Sequence, residues 1–486
     1  MLSASSGFSL IYLILILIHP GSALPTNCQP PPYFSYKYEK EISLNSVYRR
    51  FYLQPRSKLL AMTTIDIPQT SSILPYDIIV QIIDTVGEDN NTELLKKLSL
   101  VSHSFHQICC KRLFAAVEIH NPHPKLKRRG VFSKKSFVSL LKIRPDVVNY
   151  IRKLTYEVNE YDDNDQLFSP ILPNFLRTIS HLNCLTIIGS WLDWHEMDSS
   201  LISAFLYLMH LPTINHIDLS YITDFPLSSL TPSVNLLRLD MLCVEPLEKE
   251  VVEESFWSEM MPKICEFRTT RSPLLTTKLL HAKKQDGQPA FNIMNLRQLS
   301  ICLEDKQSIR YLLQNAMLLE KLHLILTTSY QTFEGLHDIL SASAATLKAL
   351  DLTLCLYVTL DSTTGRLKRN LPFEKLCEEL EAMAGHNMSE SLSLEVMLNR
   401  YETPDVIGSM IQTVEKVLVK PGWSALRQVF FKVSVCCGMK NNTCTKLAEE
   451  LQFLLPDKYL CHISKLDFVA FKFSSYVQEA ECYCGK

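Results

Sequence analysis

At 486 residues the chain is longer than one ordinary core supports, so two domains or an elongated repeat array is expected. Hydrophobic residues make up 47% and charged residues 21%, which excludes a disordered chain, and the formal net charge of −2 excludes a global field that draws nucleic acid or acidic lipid. Thirteen glycines leave few places for a glycine-rich phosphate cradle, and fifteen cysteines, odd in number and irregularly spaced, do not read as a disulfide framework. Cys184, Cys302 and Cys355 sit in apolar strand-like runs, where a free thiol is expected to act as a small buried hydrophobe.

Residues 1–61 read as a separate extension. Phe8 to Ile18 is an unbroken apolar run, shorter than the roughly 20 residues of a spanning helix and close in length to a signal-peptide core. Small residues follow it, yet the first basic residue is Lys37, so the positive flank of a signal is missing. Met62 opens a short polar lead into patterned sequence, and 1–61 is expected to be a mis-joined or poorly ordered segment.

Residues 72–118 predict a helical module. Leu74-Pro75 opens it, with Pro in a first turn where its missing N–H is harmless. Ile78, Ile79, Ile82 and Ile83 form an apolar stripe, and Val86 to Asn91 reads as a break. Thr92 caps a short second helix, and Ser99 or Ser102 starts a third that carries Leu100, Val101, Phe105, Ile108 and Leu113. Three short helices bury too little apolar surface to be robust alone, so an exposed stripe is expected to dock on a partner.

The order and residue types from Leu74 to Phe114 resemble an F-box, as found in fungal F-box-like proteins. The resemblance covers under a tenth of the chain and implies contact with a Skp-type adaptor and, through it, a cullin. Its motif positions nominate Leu74, Pro75, Ile78, Ile79, Ile82, Leu98, Leu100, Val101, Ser102 and Phe105 as adaptor-binding. Asp77 stands at the usual acidic position, and Phe105 stands where Trp is common. A plain helical cap on a repeat array is the competing reading.

Residues 119–147 read as a basic linker, with six basic residues between Lys125 and Lys135; a nuclear-localisation or phosphate-contacting role is the sharper alternative. From 148 to 475 an apolar-x-x-apolar-x-apolar pattern recurs, from Ile151/Leu154/Tyr156 through Val234/Leu237/Leu239 to Leu426/Val429/Phe431 and Ile463/Leu466/Phe468. The Ile264/Phe267/Thr269 copy ends on a polar residue, and the gap of 79 residues between Leu350 and Val429 is expected to hide a strand at Leu392–Leu398. Helical stripes such as Ile309/Leu312/Leu313/Ala316 separate the strands. The pattern predicts an α/β, irregular leucine-rich-repeat-like solenoid, with parallel strands on one face and helices on the other, followed by a tail at 476–486. An ordinary α/β domain shares this periodicity.

Strand alternation places Asp218, Arg238, Asp240, Arg268, His323, Asp351 and Lys432 on one target-binding inner face, with Leu237 and Leu239 pointing to the core. The G-x-S-x-G, G-x-x-x-x-G-K-[ST] and H-E-x-x-H signatures are absent, so neither catalysis nor a cofactor is expected. His103, His106, Cys109 and Cys110 have zinc-ligand types, but they fall within a packed helix, and no metal site is assigned. The late cysteines, Cys436 to Cys484, lack paired knuckles. Asn90, Asn387 and Asn441 head glycosylation acceptors that matter only in a secreted chain.

Together these features predict a non-catalytic substrate receptor of a cullin–RING ubiquitin ligase, cytoplasmic or nuclear, with a protein target of unknown identity and neither nucleic-acid nor membrane partners. The alternatives are a secreted repeat protein that binds ligands, and an F-box-like scaffold without ligase function.

Overall fold

The computed structural model describes residues 76–88, 92–120, 130–158, 171–248, 261–283, 289–302, 306–327, 335–341, 343–356, 359–360, 367–368, 373–385, 389–399, 404–437, 449, 452 and 470–479. Leu74, Pro75, the Phe8–Ile18 run, Met62, most of the basic run and the expected copy at 463–468 lie outside the described residues. The chain divides into two compact units between Cys109 and Cys110.

The first unit holds α1 (Tyr76–Glu88), α2 (Thr92–Leu98) and most of α3 (His103–Leu113). Ile79, Ile83 and Val86 bury one side of α1, and Leu94, Leu95 and Leu98 are buried on α2, which packs against it. Val86 falls seven residues after Ile79 and extends the buried stripe, so α1 continues through Gly87 and Glu88, where the sequence suggested a break. Ser102 caps α3: its Oγ accepts from the Phe105 N–H at 3.3 Å and its carbonyl from the His106 N–H at 2.8 Å.

Among the described residues the second unit is α/β and is built on a thirteen-stranded parallel sheet. In chain order come β1 (Ala116–Ile119), β2 (Val131–Phe132), α4 (Lys134–Ile143), β3 (Lys153–Glu157), α5 (Ile171–Leu176), β4 (Cys184–Asp193), α6 (Ser199–Met209), β5 (His216–Phe225) and β6 (Arg238–Pro246). Then follow β7 (Glu266–Thr270), α7 (Pro273–His281), β8 (Gln298–Cys302), α8 (Lys306–Asn315), β9 (Lys321–Thr327), α9 (Leu336–Ser341) and β10 (Ala349–Leu356). A small antiparallel pair, β11 (Thr359–Leu360) and β12 (Leu367–Lys368), precedes α10 (Phe373–Met383), β13 (Ser391–Asn399), α11 (Pro404–Leu418), β14 (Gln428–Cys437) and β15 (Ala470–Glu479). Each main strand lies beside the next in sequence, except that β2 lies outside β1 at the edge.

One row of core residues crosses the sheet in register: Leu154, Leu185, Ile217, Leu239, Phe267, Leu299, Leu322, Leu350, Leu392 and Val429. All ten belong to a continuous core with helix residues such as Phe137, Phe205, Leu312, Leu380 and Val414. Main-chain hydrogen bonds repeat at the strand starts. The carbonyl of Arg152 accepts from Asn183 and Cys184, that of Asn183 from Asn215 and His216, and that of Asn215 from Leu237 and Arg238. The same pairing continues through Leu237, Cys265, Arg297, Glu320, Lys348 and Glu390. This backbone ladder satisfies the groups between successive strands and fixes the repeat geometry.

Four expectations are corrected by these elements. Leu237 is 47% exposed because it occupies the ladder position, whereas Leu236, Leu239 and Met241 are buried; the copy read as Val234/Leu237/Leu239 is two residues out of register. The array begins at Ala116 rather than 148: β1 pairs with β3, and Phe137, Val138 and Leu141 of α4 enter the core beneath a basic surface. Lys134 of that basic run lies over the Tyr156 ring, 5.2 Å from its centroid. At the far edge, Phe471 pairs with Val429, so the last strand follows 463–468 and runs to Glu479, past the expected tail boundary.

Alternation reverses along one level of the sheet. Trp191, Tyr221, Cys243 and Arg271 have φ between 51° and 62°, in the left-handed region that L side chains rarely adopt. Tyr221 and Cys243 immediately precede Ile222 and Val244, which return to the core one residue out of phase. Gly189 permits the bulge in β4, since a Cβ there would overlap the Tyr221 carbonyl oxygen.

The weak seventh-strand copy leaves a mark. Thr269 is 2% exposed in a row otherwise rich in Leu and Ile, and among the described residues its Oγ1 has no hydrogen-bond partner. Thr269→Val keeps the shape and removes the orphaned hydroxyl, so it is expected to stabilise the fold by about 1 kcal/mol, read as a higher urea midpoint.

Candidate functional site on the open face of the sheet

Residues that alternate with the core row line the opposite face, where they are half-buried rather than covered. In register, Thr186, Asp218, Asp240 and Arg268 are successive neighbours, as are Ser300, His323, Asp351 and Ser393. Since Arg268 pairs with Ser300, these form one continuous row. Five of the seven expected target-binding residues therefore share it. Arg238 stands one pleat before the row beside His216 and Glu266, and Lys432 stands one pleat after it beside Glu395.

A charged cluster centres on Asp240. Arg238 donates through Nε at 2.9 Å and Nη2 at 2.7 Å to Asp240 Oδ2, which also lies 3.0 Å from His216 Nε2. Arg268 Nε is 3.8 Å from the buried Asp240 Oδ1, and Arg238 Nε is 3.7 Å from Glu266. On its other side, His216 Nδ1 is 3.2 Å from Cys184 Sγ. Burial works against the Asp240 carboxylate, but hydrogen bonds from His216 and Arg238 outweigh it and hold the group below its ordinary range. Burial likewise opposes the charged His216, yet bonding to Asp240 and Cys184 lifts it to about 9. Asp218 is raised, first by burial and then by the Asp240 charge beside it.

A second, more neutral cluster surrounds His323. Its Nδ1 is 2.9 Å from Ser300 Oγ and its Nε2 is 2.9 Å from Thr353 Oγ1. Burial lowers its pKa, so the ring is neutral and held by two hydroxyls. Burial also raises Asp351, against the pull of His323 and Lys321. Lys432 Nζ donates to Glu395 Oε2 at 3.0 Å, and Ser434 Oγ donates to Glu395 Oε1 at 2.6 Å. The face thus presents fixed, mutually oriented charges rather than loose side chains, and Arg238 and Lys432 are already engaged within it.

Stability should follow this charge network. His216 has a raised pKa, so its contribution is complete below the ordinary 6.5 and is lost as pH rises through about 9. The depressed Asp240 acts oppositely: its contribution is present above its ordinary 3.8 and is lost as pH falls through the lowered value. Between pH 6.5 and 9.5 the urea midpoint of the wild type is expected to fall, and that of His216→Gln to stay nearly level.

The expected adaptor-binding residues split into two groups in the first unit. Ile79, Leu98 and Phe105 are buried and Ile82 is half-buried, so they hold the helices together. Ile78, Leu100 and Val101 are exposed at 40%, 72% and 38%, together with Ser102 and the unanticipated Tyr76 at 56%. Leu74 and Pro75 lie outside the described residues.

Sequence reasoning misassigned Cys184. It was expected to be a buried hydrophobe, but it is half-buried and bonded to His216 on the polar face. Its position directly before the inward Leu185 is the signal that sends it outward. Cys109, Cys110, Cys184, Cys243, Cys265, Cys302 and Cys377 form no disulfide, and all of them but Cys184 and Cys265 are buried. Among the described residues, His, Cys, Asp and Glu side chains form no group that could hold a metal ion, and no helix is long and apolar enough to cross a membrane. Comparison with protein-family models and with curated proteins found no match.

Proposed function

We propose that this chain is a non-catalytic substrate receptor of a cullin–RING ubiquitin ligase, acting in the cytoplasm or nucleus. In this reading the helices of residues 76–109, with Leu74-Pro75 before them, are an F-box that docks on a Skp-type adaptor. The second unit is an irregular leucine-rich-repeat-like solenoid whose open face selects a protein target. Ubiquitin transfer then proceeds by proximity: the receptor raises the effective concentration of target lysines near the charged enzyme and contributes no reacting group.

The observation that carries the proposal is the exposure of Tyr76 and Ile78 on α1 and of Leu100 and Val101 in the turn between α2 and α3. Apolar side chains left in water on so small a module mark a surface that gains by docking. The face with Asp218, Asp240, Arg268, His323 and Asp351 offers oriented charges and hydrogen-bonding groups of both signs, which suit recognition of a folded protein surface. Purification of the native protein, with mass spectrometry read for adaptor and cullin peptides, tests the proposal. Stoichiometric recovery of both is expected, and recovery of neither contradicts it.

A further inference from the structure

Three side chains on neighbouring strands form a relay that target binding does not require. Cys184 opens β4, His216 opens β5, and Asp240 is the third residue of β6. The His216 ring bridges the other two, with Nδ1 3.2 Å from Cys184 Sγ and Nε2 3.0 Å from Asp240 Oδ2. Asp240 is anchored in turn by two hydrogen bonds from Arg238, so its Oδ2 is fixed where it meets the imidazole.

We propose that Cys184 is a modification site: paired with the His216 imidazolium, its thiolate takes up small soluble electrophiles, peroxides among them. This goes beyond the receptor reading and stands or falls independently of it. Each partner has a definite role. Asp240 fixes the ring orientation and stabilises the imidazolium, and His216 holds the proton and pairs with the sulfur. The hydrogen bonds that keep His216 charged to about pH 9 serve the same end. Around the pair, Lys153 faces Cys184 from β3, while Asp218, Arg238 and Glu266 stand on the His216 side.

The geometry also limits the chemistry. The main-chain N–H of Cys184 donates to the Arg152 carbonyl at 3.0 Å and that of His216 to the Asn183 carbonyl at 3.1 Å. Neither is available to stabilise an oxyanion, so a small electrophile suits the site better than an acyl group. With hydrogen peroxide the thiolate attacks one oxygen, an S–O bond forms and the O–O bond breaks. The sulfur is oxidised to sulfenic acid, the peroxide is reduced, and the departing hydroxide takes the His216 proton to leave as water.

Cys265 is an internal control, since it is also half-buried but donates to the Lys263 carbonyl at 3.6 Å and has no imidazole partner among the described residues. The full-length protein is treated briefly with iodoacetamide at pH 5.5 to 9, and each cysteine is quantified by peptide mass spectrometry. At pH 6, Cys184 is expected to label about tenfold faster than Cys265 and to lose little rate across the range. In His216→Gln its rate should fall about tenfold per pH unit below the ordinary thiol range. Hydrogen peroxide followed by dimedone should tag Cys184 before Cys265. Equal rates and profiles for the two cysteines in the wild type would overturn the proposal even if the variant failed to fold. So would an unchanged Cys184 profile in a folded His216→Gln.

Discussion

Leu239→Asp is expected to unfold the central part of the sheet. Leu239 is fully buried in the row that runs from Leu154 to Val429, and it sits between Ile217 and Phe267. Losing a buried leucine costs about 2–5 kcal/mol, and an unpaired carboxylate in its place costs several more. Domains are stable by only about 5–15 kcal/mol, so the change consumes most of that margin. Leu237→Asp, two residues earlier, should stay within about 0.5 kcal/mol of wild type because the ladder uses only its main chain and its side chain is 47% exposed. Urea unfolding followed by circular dichroism separates the two. Comparable losses would show that the register assigned to β6 is wrong.

The second large effect falls on the first unit and rests on the proposed adaptor contact. Ile78→Ala combined with Leu100→Ala should weaken adaptor binding by roughly two to three decades and leave the unfolding midpoint unchanged. Both residues carry exposed apolar surface, and covering it on docking is worth roughly 1–2 kcal/mol each. Ile79→Ala makes the contrast: its side chain is 8% exposed, so it should cost stability first and binding only as a consequence. Pull-down with recombinant adaptor, read beside thermal melts, distinguishes the outcomes.

Much of the second unit was legible because its code is simple. An inward residue precedes the ladder position by one, and two more follow it by two and four, which gives the apolar-x-x-apolar-x-apolar pattern seen at Ile151/Leu154/Tyr156 and Leu426/Val429/Phe431. The hidden strand at Leu392–Leu398 is β13, paired in register with β10 and β14. The failure at Leu237 has a definite cause. The run Leu236-Leu237-Arg238-Leu239-Asp240-Met241 satisfies the pattern in two registers, and only the ladder tells them apart. Equivalent positions are polar in Arg152, Asn183, Asn215, Arg297, Glu320, Lys348, Glu390 and Arg427, whereas 237 carries a leucine that reads as a core residue.

Other features carried no usable local signal. A left-handed residue is normally announced by Gly or Asn, but here the conformation falls on Trp191, Tyr221, Cys243 and Arg271. Basic residues around α4 masked its apolar side, formed by Phe137, Val138 and Leu141. Alternation placed the seven proposed target-binding residues on one face, but it could not show which were already engaged. Asp240 binds His216, 24 positions away, and Lys432 binds Glu395, 37 positions away, because sheet neighbours come from different repeats; only the Arg238–Asp240 bond is made within one strand.

The most direct test of the receptor reading is calorimetric titration of a purified Skp-type adaptor into the intact chain. The account predicts one adaptor per chain with submicromolar affinity, a negative heat-capacity change from apolar burial, and loss of the signal in the Ile78→Ala/Leu100→Ala variant. A folded wild-type chain that gives no heat and no complex by gel filtration at tens of micromolar would contradict it.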